Sequence, residues 1–220
     1  MKRINIITGH YGSGKTEIAI NMALKLKEEH DNVVICDMDI VNPYFRTNDA
    51  KAFLEEKGIR VISPDYASTN IDIPVLPGDI LSVFTNKDCY AILDLGGDDD
   101  GAVALGQFFR YLKDEDYEMY FVINSLRPDT SNIEDIKILA ANIEYTSRAK
   151  ITGVINNTNL SYLSEADHLA DSLDFVEKAA KELGVEVKYI TGTKEILRGI
   201  SDPRAMEIEL FMKLPFDALA

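Results

Sequence analysis

One loop near the amino terminus constrains this chain more than any other feature. Gly9-His10-Tyr11-Gly12-Ser13-Gly14-Lys15-Thr16 lies between an apolar run, Arg3–Thr8, and a helical pattern, Lys15–Glu29. It matches G-x-x-x-x-G-K-[ST] at every fixed position, in the strand-to-helix setting that the motif requires. The glycines allow backbone N–H groups to turn inward and approach phosphate oxygens without Cβ clashes. The start of the helix adds its partial positive charge. Lys15 is placed to reach β- and γ-phosphates, and the Thr16 hydroxyl to bind magnesium. Gly9 to Thr16, with Glu17 in the next position, is the candidate nucleotide cradle.

The remainder of the chain alternates in the same way. Strands are expected at Arg3–Thr8, Asn32–Asp37, Arg60–Ile62, Tyr90–Leu95, Glu118–Asn124, Lys150–Asn156 and Val185–Thr191. Helices are expected at Lys15–Glu29, Asp49–Lys57, Asp79–Phe84, Val103–Lys113, Asn132–Tyr145 and Glu165–Leu183, with a last one near Arg204–Lys213. Short continuous Val/Ile/Leu strands separated by helices imply an α/β fold with a mostly parallel sheet covered on both faces, a Rossmann-like three-layer sandwich. No repeat or linker divides the 220 residues, so one domain over residues 1–220 is expected. In such a sheet ligands sit beyond the carboxyl ends of the strands, which directs attention to the loops there.

Composition narrows the class of ligand. A net charge of −14 argues against nucleic acid, which requires a basic face, but not against a small nucleotide handled by one loop and a magnesium ion. No apolar run approaches the roughly 20 residues that span a bilayer, and the chain enters a strand directly, so a cytoplasmic protein without a membrane role is expected. Cys36 and Cys89 show no metal or redox spacing and read as small buried residues.

Two strand ends carry the remaining chemistry. After the second strand, "CDMDIVNPYFR" contains Asp37 and Asp39. They alternate at the strand end and are expected to face different directions, one supporting a metal's water shell and the other orienting an attacking water. The fourth strand ends "AILDLGGDDDG", in which Asp94 reads as a magnesium-supporting carboxylate and Asp94-Leu95-Gly96-Gly97 as D-x-x-G. There the Gly97 region can touch a γ-phosphate and move when it leaves. The metal set is thus Thr16, Asp37, Asp39 and Asp94.

The loops "GHYGSGKT", "DMD" and "LDLGG" resemble the MinD/ParA/CobQ branch of the SIMIBI class of P-loop nucleotide-binding proteins. That resemblance implies an ATPase with a magnesium–ATP site and a nucleotide-gated dimer. It assigns the water-positioning role to Asp39 and the adenine contact to an asparagine at a later strand end, where "GVINNTNL" offers Asn156 and, preferred by counting from Gly153, Asn157. A guanine reader would carry N-K-x-D, and Asn156-Asn157-Thr158-Asn159 has neither the lysine nor the aspartate. ParA-like members carry K-G-G-x-x-G-K-[ST], whose first lysine crosses the dimer to the partner's phosphates. His10 stands in that place here, and histidine is only partly charged at neutral pH. Arg46, in "NPYFR", and Arg127, in "NSLRPDT", are the candidate replacement cations. Alternatively, Arg46 pairs with a carboxylate and Arg127 caps a turn.

Other features read more plainly. Asp98-Asp99-Asp100 is expected to be a solvated switch loop, since adjacent residues cannot all point at one ion without a scaffold. Tyr44 and Phe45 form either a partner surface or ordinary packing. The tail from Pro203 mixes glutamates with few basic residues, which disfavours membrane targeting and suggests core packing. The expected function is a nucleotide-switched ATPase acting on a second copy or an unidentified protein partner. The alternatives are an ATP-dependent kinase or ligase, with "NPYFRTND" or "SPDYASTNID" lining an acceptor pocket, and a nucleotide-binding module without turnover.

Overall fold

Eight strands form a single sheet. The computed structural model describes residues 1–39, 50–63, 78–96 and 99–212. The strands are β1 (Ile4–Gly9), β2 (Val33–Met38), β3 (Ile59–Ile62), β4 (Tyr90–Leu95), β5 (Tyr117–Ile123), β6 (Gly153–Asn156), β7 (Glu186–Gly192) and β8 (Ala205–Glu207). Their order is β3-β2-β4-β1-β5-β6-β7-β8, and every neighbouring pair is parallel. The helices are α1 (Lys15–Glu29), α2 (Lys51–Glu56), α3 (Leu81–Thr85), α4 (Asp99–Gln107), α5 (Phe109–Leu112), α6 (Ile133–Ser147) and α7 (Ala166–Glu182).

The inner strands β1, β2, β4, β5 and β6 bury both faces, as their continuous apolar runs require. Ile7, Ile35, Ile92, Val122 and Ile155 face a core closed by Ile18, Ala19, Met22 and Leu26 of α1 and Leu54 of α2. Ile4, Ile6, Cys36, Leu93 and Phe121 face the opposite core, closed by side chains of α3 to α7. Both cysteines are free and buried in that second core, where burial pushes their thiols up. They pack as small hydrophobes. No helix among the described residues is long and apolar enough to cross a membrane.

The connections locate the site. α1 leaves β1 on one face and leads to β2, whereas α6 leaves β5 on the other face and leads to β6. β1 and β5 are neighbours, so their loops diverge at a topological switch point, the usual position of a ligand crevice in an open α/β sheet.

Two expected elements differ. The helix expected over Val103–Lys113 begins earlier, at Asp99, and breaks at Phe108 into α4 and α5. Asp99 and Asp100 therefore open a helix. Gly106 lies so close to α6 that an added Cβ would come within 2.7 Å of the Thr146 carbonyl. The helix expected near Arg204–Lys213 is instead strand β8 followed by an extended segment. Met206, Ile208 and Leu210 alternate with Glu207 and Glu209, a period of two rather than 3.6, and Met206 and Ile208 are buried in the α1-side core.

Candidate functional site

The loop between β1 and α1 is built around its own backbone. Gly14 occupies the N-cap position of α1 at φ 88°, with no side chain capping the helix. A side chain at Gly14 would strain the left-handed backbone and collide with Asn157 Nδ2. Ser13 N–H donates to the His10 carbonyl at 3.2 Å, and Lys15 Nζ reaches back across the loop to the same oxygen at 3.0 Å. Lys15 is only 7% exposed, so the ammonium is held inside the loop rather than in solvent. Ser13 Oγ is buried beneath the loop beside Gly9, without a hydrogen-bond partner.

His10 shapes this loop. One ring nitrogen lies 2.9 Å from the Tyr11 carbonyl, and Nε2 is 3.4 Å from Asp129 Oδ2. Arg127, two residues before that aspartate, lies against Gly12.

The carboxylates gather beside the start of α1. Asp37 and Asp94 are register partners on β2 and β4, 1% and 2% exposed. Each shares a strand face with a residue of the α1-side core, Ile35 and Ile92 respectively. Asp39 lines the same cleft as Lys15 and Thr16, and its N–H donates to Asp37 Oδ1 at 3.0 Å. Asp37 and Asp39 do not alternate within one strand as expected: β2 ends at Met38, and Asp39 stands just past it, bonded through its N–H to Asp37. Gly96 is close enough that an added Cβ would sit 3.2 Å from Asp39 Oδ1, so Gly96 abuts this carboxylate. Among the described residues no group of three or more His, Cys, Asp or Glu side chains forms a metal site by itself. A cation here would also draw on the Thr16 hydroxyl and on water, as magnesium does. Concentrated buried negative charge at the strand tips fits such an ion.

A cleft of about 750 Å³ runs from Lys15 and Thr16 past Arg127 and Asn157 toward the β6–α7 and β7–β8 loops. Its far end is lined by Asn159, Ser161, Thr193, Glu195 and Ile196, and one wall by Ile208, Leu210 and Met212. That wall is fastened to α1. Glu17 accepts from Phe211 N–H at 2.9 Å and from Met212 N–H at 2.7 Å, and Asn21 bonds Glu209 through both its donor and its acceptor, at 2.8 and 2.9 Å. Burial pushes the Glu17 carboxyl up against the opposing pull of those two N–H groups.

Of the candidate residues, His10, Tyr11, Gly12, Gly14, Lys15, Thr16, Glu17, Asp39, Arg127 and Asn157 line one cleft, with Gly9 and Ser13 beneath it in the same loop. Asn156 points away and donates to Ser172 Oγ of α7 at 2.9 Å. Asn157 lines the cleft and also donates to the Ser13 carbonyl at 2.8 Å and accepts from Thr191 Oγ1 at 2.8 Å, which pins the loop. Arg46 and Gly97 lie outside the described residues, as do Asp98, Tyr44, Phe45 and both suggested acceptor stretches apart from Ser63. The β7–β8 loop and the 208–212 wall were missed. Their signals were the loop position of "GTKE" after a strand and the two-residue alternation of the tail.

Comparison with solved structures places this arrangement in known territory. The cell division protein FtsY of Thermotoga maritima aligns with a TM-score of 0.57 and 22% identity, over 88% of this chain and 63% of its own. The signal recognition particle receptor FtsY of Elizabethkingia anophelis, in complex with GDP, gives 0.53 and 17%, over 96% and 60%. The 54 kDa signal recognition particle protein of Aeropyrum pernix, in complex with GDP, gives 0.54 and 19%, over 87% and 41%. The fold is that of a P-loop nucleotide-binding protein. The chain spans less than two thirds of the length of each of these relatives. Neither a protein-family model nor a curated protein matches the sequence.

Proposed function

We propose that this chain is a magnesium-dependent ATP-binding protein that works as a nucleotide-switched ATPase, converting ATP to ADP and phosphate. The observation that carries this reading is the loop Gly9 to Thr16. It matches the phosphate-binding pattern at every fixed position, starts its helix from a left-handed glycine, and folds a lysine into itself beside a cleft large enough for a nucleotide. Its backbone N–H groups and Lys15 would bind the phosphates, and catalysis would consist of positioning and charge neutralisation rather than covalent chemistry. Magnesium, held through Thr16 with Asp37 and Asp94 behind it, supplies further neutralisation when bound. Asp39, in the cleft and beside Gly96, is placed to orient the attacking water.

The resemblance of these loops to the MinD/ParA/CobQ branch supports ATP as the nucleotide and a second copy or another protein as the partner engaged by the closed form. The asparagine at the place of a guanine-reading aspartate, Asn159, uses its carboxamide within its own loop. It donates to the Asn157 carbonyl at 2.8 Å and accepts from Ser161 N–H at 3.0 Å. A guanine nucleotide is the second reading, and the far end of the cleft favours it. Glu195 offers there a carboxylate, kept below its usual range by its own N–H and by the Thr193 hydroxyl, to which a guanine edge can donate. Calorimetry with ATP and GTP, each with and without magnesium, followed by phosphate release, tests the proposal. Magnesium-dependent ATP uptake with slow turnover is expected. Preference for GTP shifts the assignment to the second reading, and uptake of neither overturns both.

A further inference from the structure

Resting on the nucleotide reading above, we infer that Arg127 is a phosphate-contacting residue that completes the cation set of the site within a single chain. Its loop follows β5, the strand beside β1, so it borders the switch point from the side opposite the Gly9–Thr16 loop. The backbone there is locked. Arg127 N–H donates to the Asn124 carbonyl at 3.0 Å, Thr130 N–H to the Arg127 carbonyl at 3.0 Å, and Thr130 Oγ1 to the Asn124 carbonyl at 2.5 Å. Arg127 is thus delivered to a fixed place, and the guanidinium lies against the bare backbone of Gly12, with Nε and Cζ 3.7 and 3.8 Å from where a Cβ would stand.

Nothing in the described chain uses this cation. Arg127 Nε is buried without a hydrogen-bond partner, and no ion pair forms at the guanidinium among the described residues. The nearest carboxylate in sequence, Asp129, faces His10 instead. Arg60, Arg110, Arg148 and Arg198 also form no salt bridge among the described residues, but of the described arginines only Arg127 has a buried N–H without a partner. Arg3 and Arg204, by contrast, are bonded to Glu115 and to Asp202 and Glu177. A buried N–H left unmade is rare in folded proteins, and a planar fork of donors matches phosphoryl oxygens. His10 cannot fill the role, since both ring nitrogens are turned to the Tyr11 carbonyl and Asp129. Arg127 then contributes in cis a charge that a second copy would otherwise have to bring.

The test uses the full chain with ATP, ADP and adenosine as probes in calorimetry, together with phosphate release over a range of protein concentrations. Arg127→Ala is expected to weaken ATP binding about tenfold or more while leaving any adenosine binding unchanged, and to slow turnover by about a hundredfold or more. Arg127→Lys should recover part of both, which a purely structural residue would not show. Wild-type turnover per chain should stay constant on dilution. Unchanged ATP affinity and turnover in Arg127→Ala, or turnover that collapses on dilution, overturns the assignment and leaves the nucleotide reading intact. A wild-type chain that binds none of the three overturns both.

Discussion

Replacing Asn157 by alanine separates a pin from a base reader. Its carboxamide, 3% exposed, ties the phosphate loop to β7 by two hydrogen bonds of 2.8 Å, one to the Ser13 carbonyl and one from Thr191 Oγ1. In Asn157→Ala the Thr191 hydroxyl keeps a second acceptor, the Asn156 carbonyl at 3.2 Å, so the main loss falls on the buried Ser13 carbonyl. Leaving such a group unsatisfied costs about 1–3 kcal/mol, and about 2 kcal/mol is the central expectation. For a chain of this size that lowers Tm by about 4–8 °C. If the loop must be re-formed on binding, the same energy weakens nucleotide affinity by up to about 30-fold. If, as proposed, the loop binds phosphates rather than bases, the effect should be equal for ATP, GTP and CTP. Asn157→Asp should be worse, since it sets a carboxylate against the Ser13 carbonyl. Thermal unfolding and calorimetry with the three nucleotides measure both consequences. An unchanged Tm together with an altered base preference would refute the pinning role and return Asn157 to contact with the base.

Three further substitutions probe the rest of the site. Lys15→Ala should abolish Mg–ATP uptake, whereas Asp39→Ala should bind ATP normally and lose about a hundredfold or more in phosphate release; turnover at the wild-type rate would show that another group orients the water. Gly14→Ala forces a side chain onto a backbone at φ 88°, at about 1–2 kcal/mol, and into Asn157 Nδ2, so both melting temperature and nucleotide affinity should fall. Asp202 anchors the approach to β8 through bonds to Arg204 of 2.7–2.9 Å, and those bonds hold its carboxyl down from 3.8 to about 2. Because the folded value is depressed, the stabilisation is present above the ordinary carboxylate range and is lost as pH falls from about 4 through about 2. Screening at this partly exposed pair leaves about 1 kcal/mol. The stability gap between wild type and Asp202→Asn should therefore close over that window in urea titrations, and a gap independent of pH would contradict the account.

Much of this architecture was legible in the chain itself. The strand–loop–helix unit at Gly9 to Thr16 is encoded locally, because glycine spacing, the lysine and the apolar run before it lie within adjacent residues. β1, β2, β4 and α1 fall where Val/Ile/Leu runs and helical periodicity place them, within a residue or so. The tail was harder to place. Its three-residue strand β8 is held by register to β7, and the segment after it by bonds from Glu209, Phe211 and Met212 to Asn21 and Glu17 near the start of the chain. An amphipathic beat over so short a span fits either period when the partner is not seen.

What the sequence by itself determined is the loop, the alternation that builds a parallel sheet, and an acidic balance unsuited to a nucleic-acid backbone. The tertiary structure alone decided which polar side chains meet: that Asn156 turns to Ser172 while its neighbour Asn157 pins the loop, that Asp37 and Asp94 lie side by side, and that Arg127 comes to rest against Gly12 without a carboxylate. The reason is physical. Backbone propensity and periodicity act over a few residues, whereas the partner of a buried amide or guanidinium depends on which strands become neighbours, and here β1 sits between β4 and β5, strands far from it in the chain.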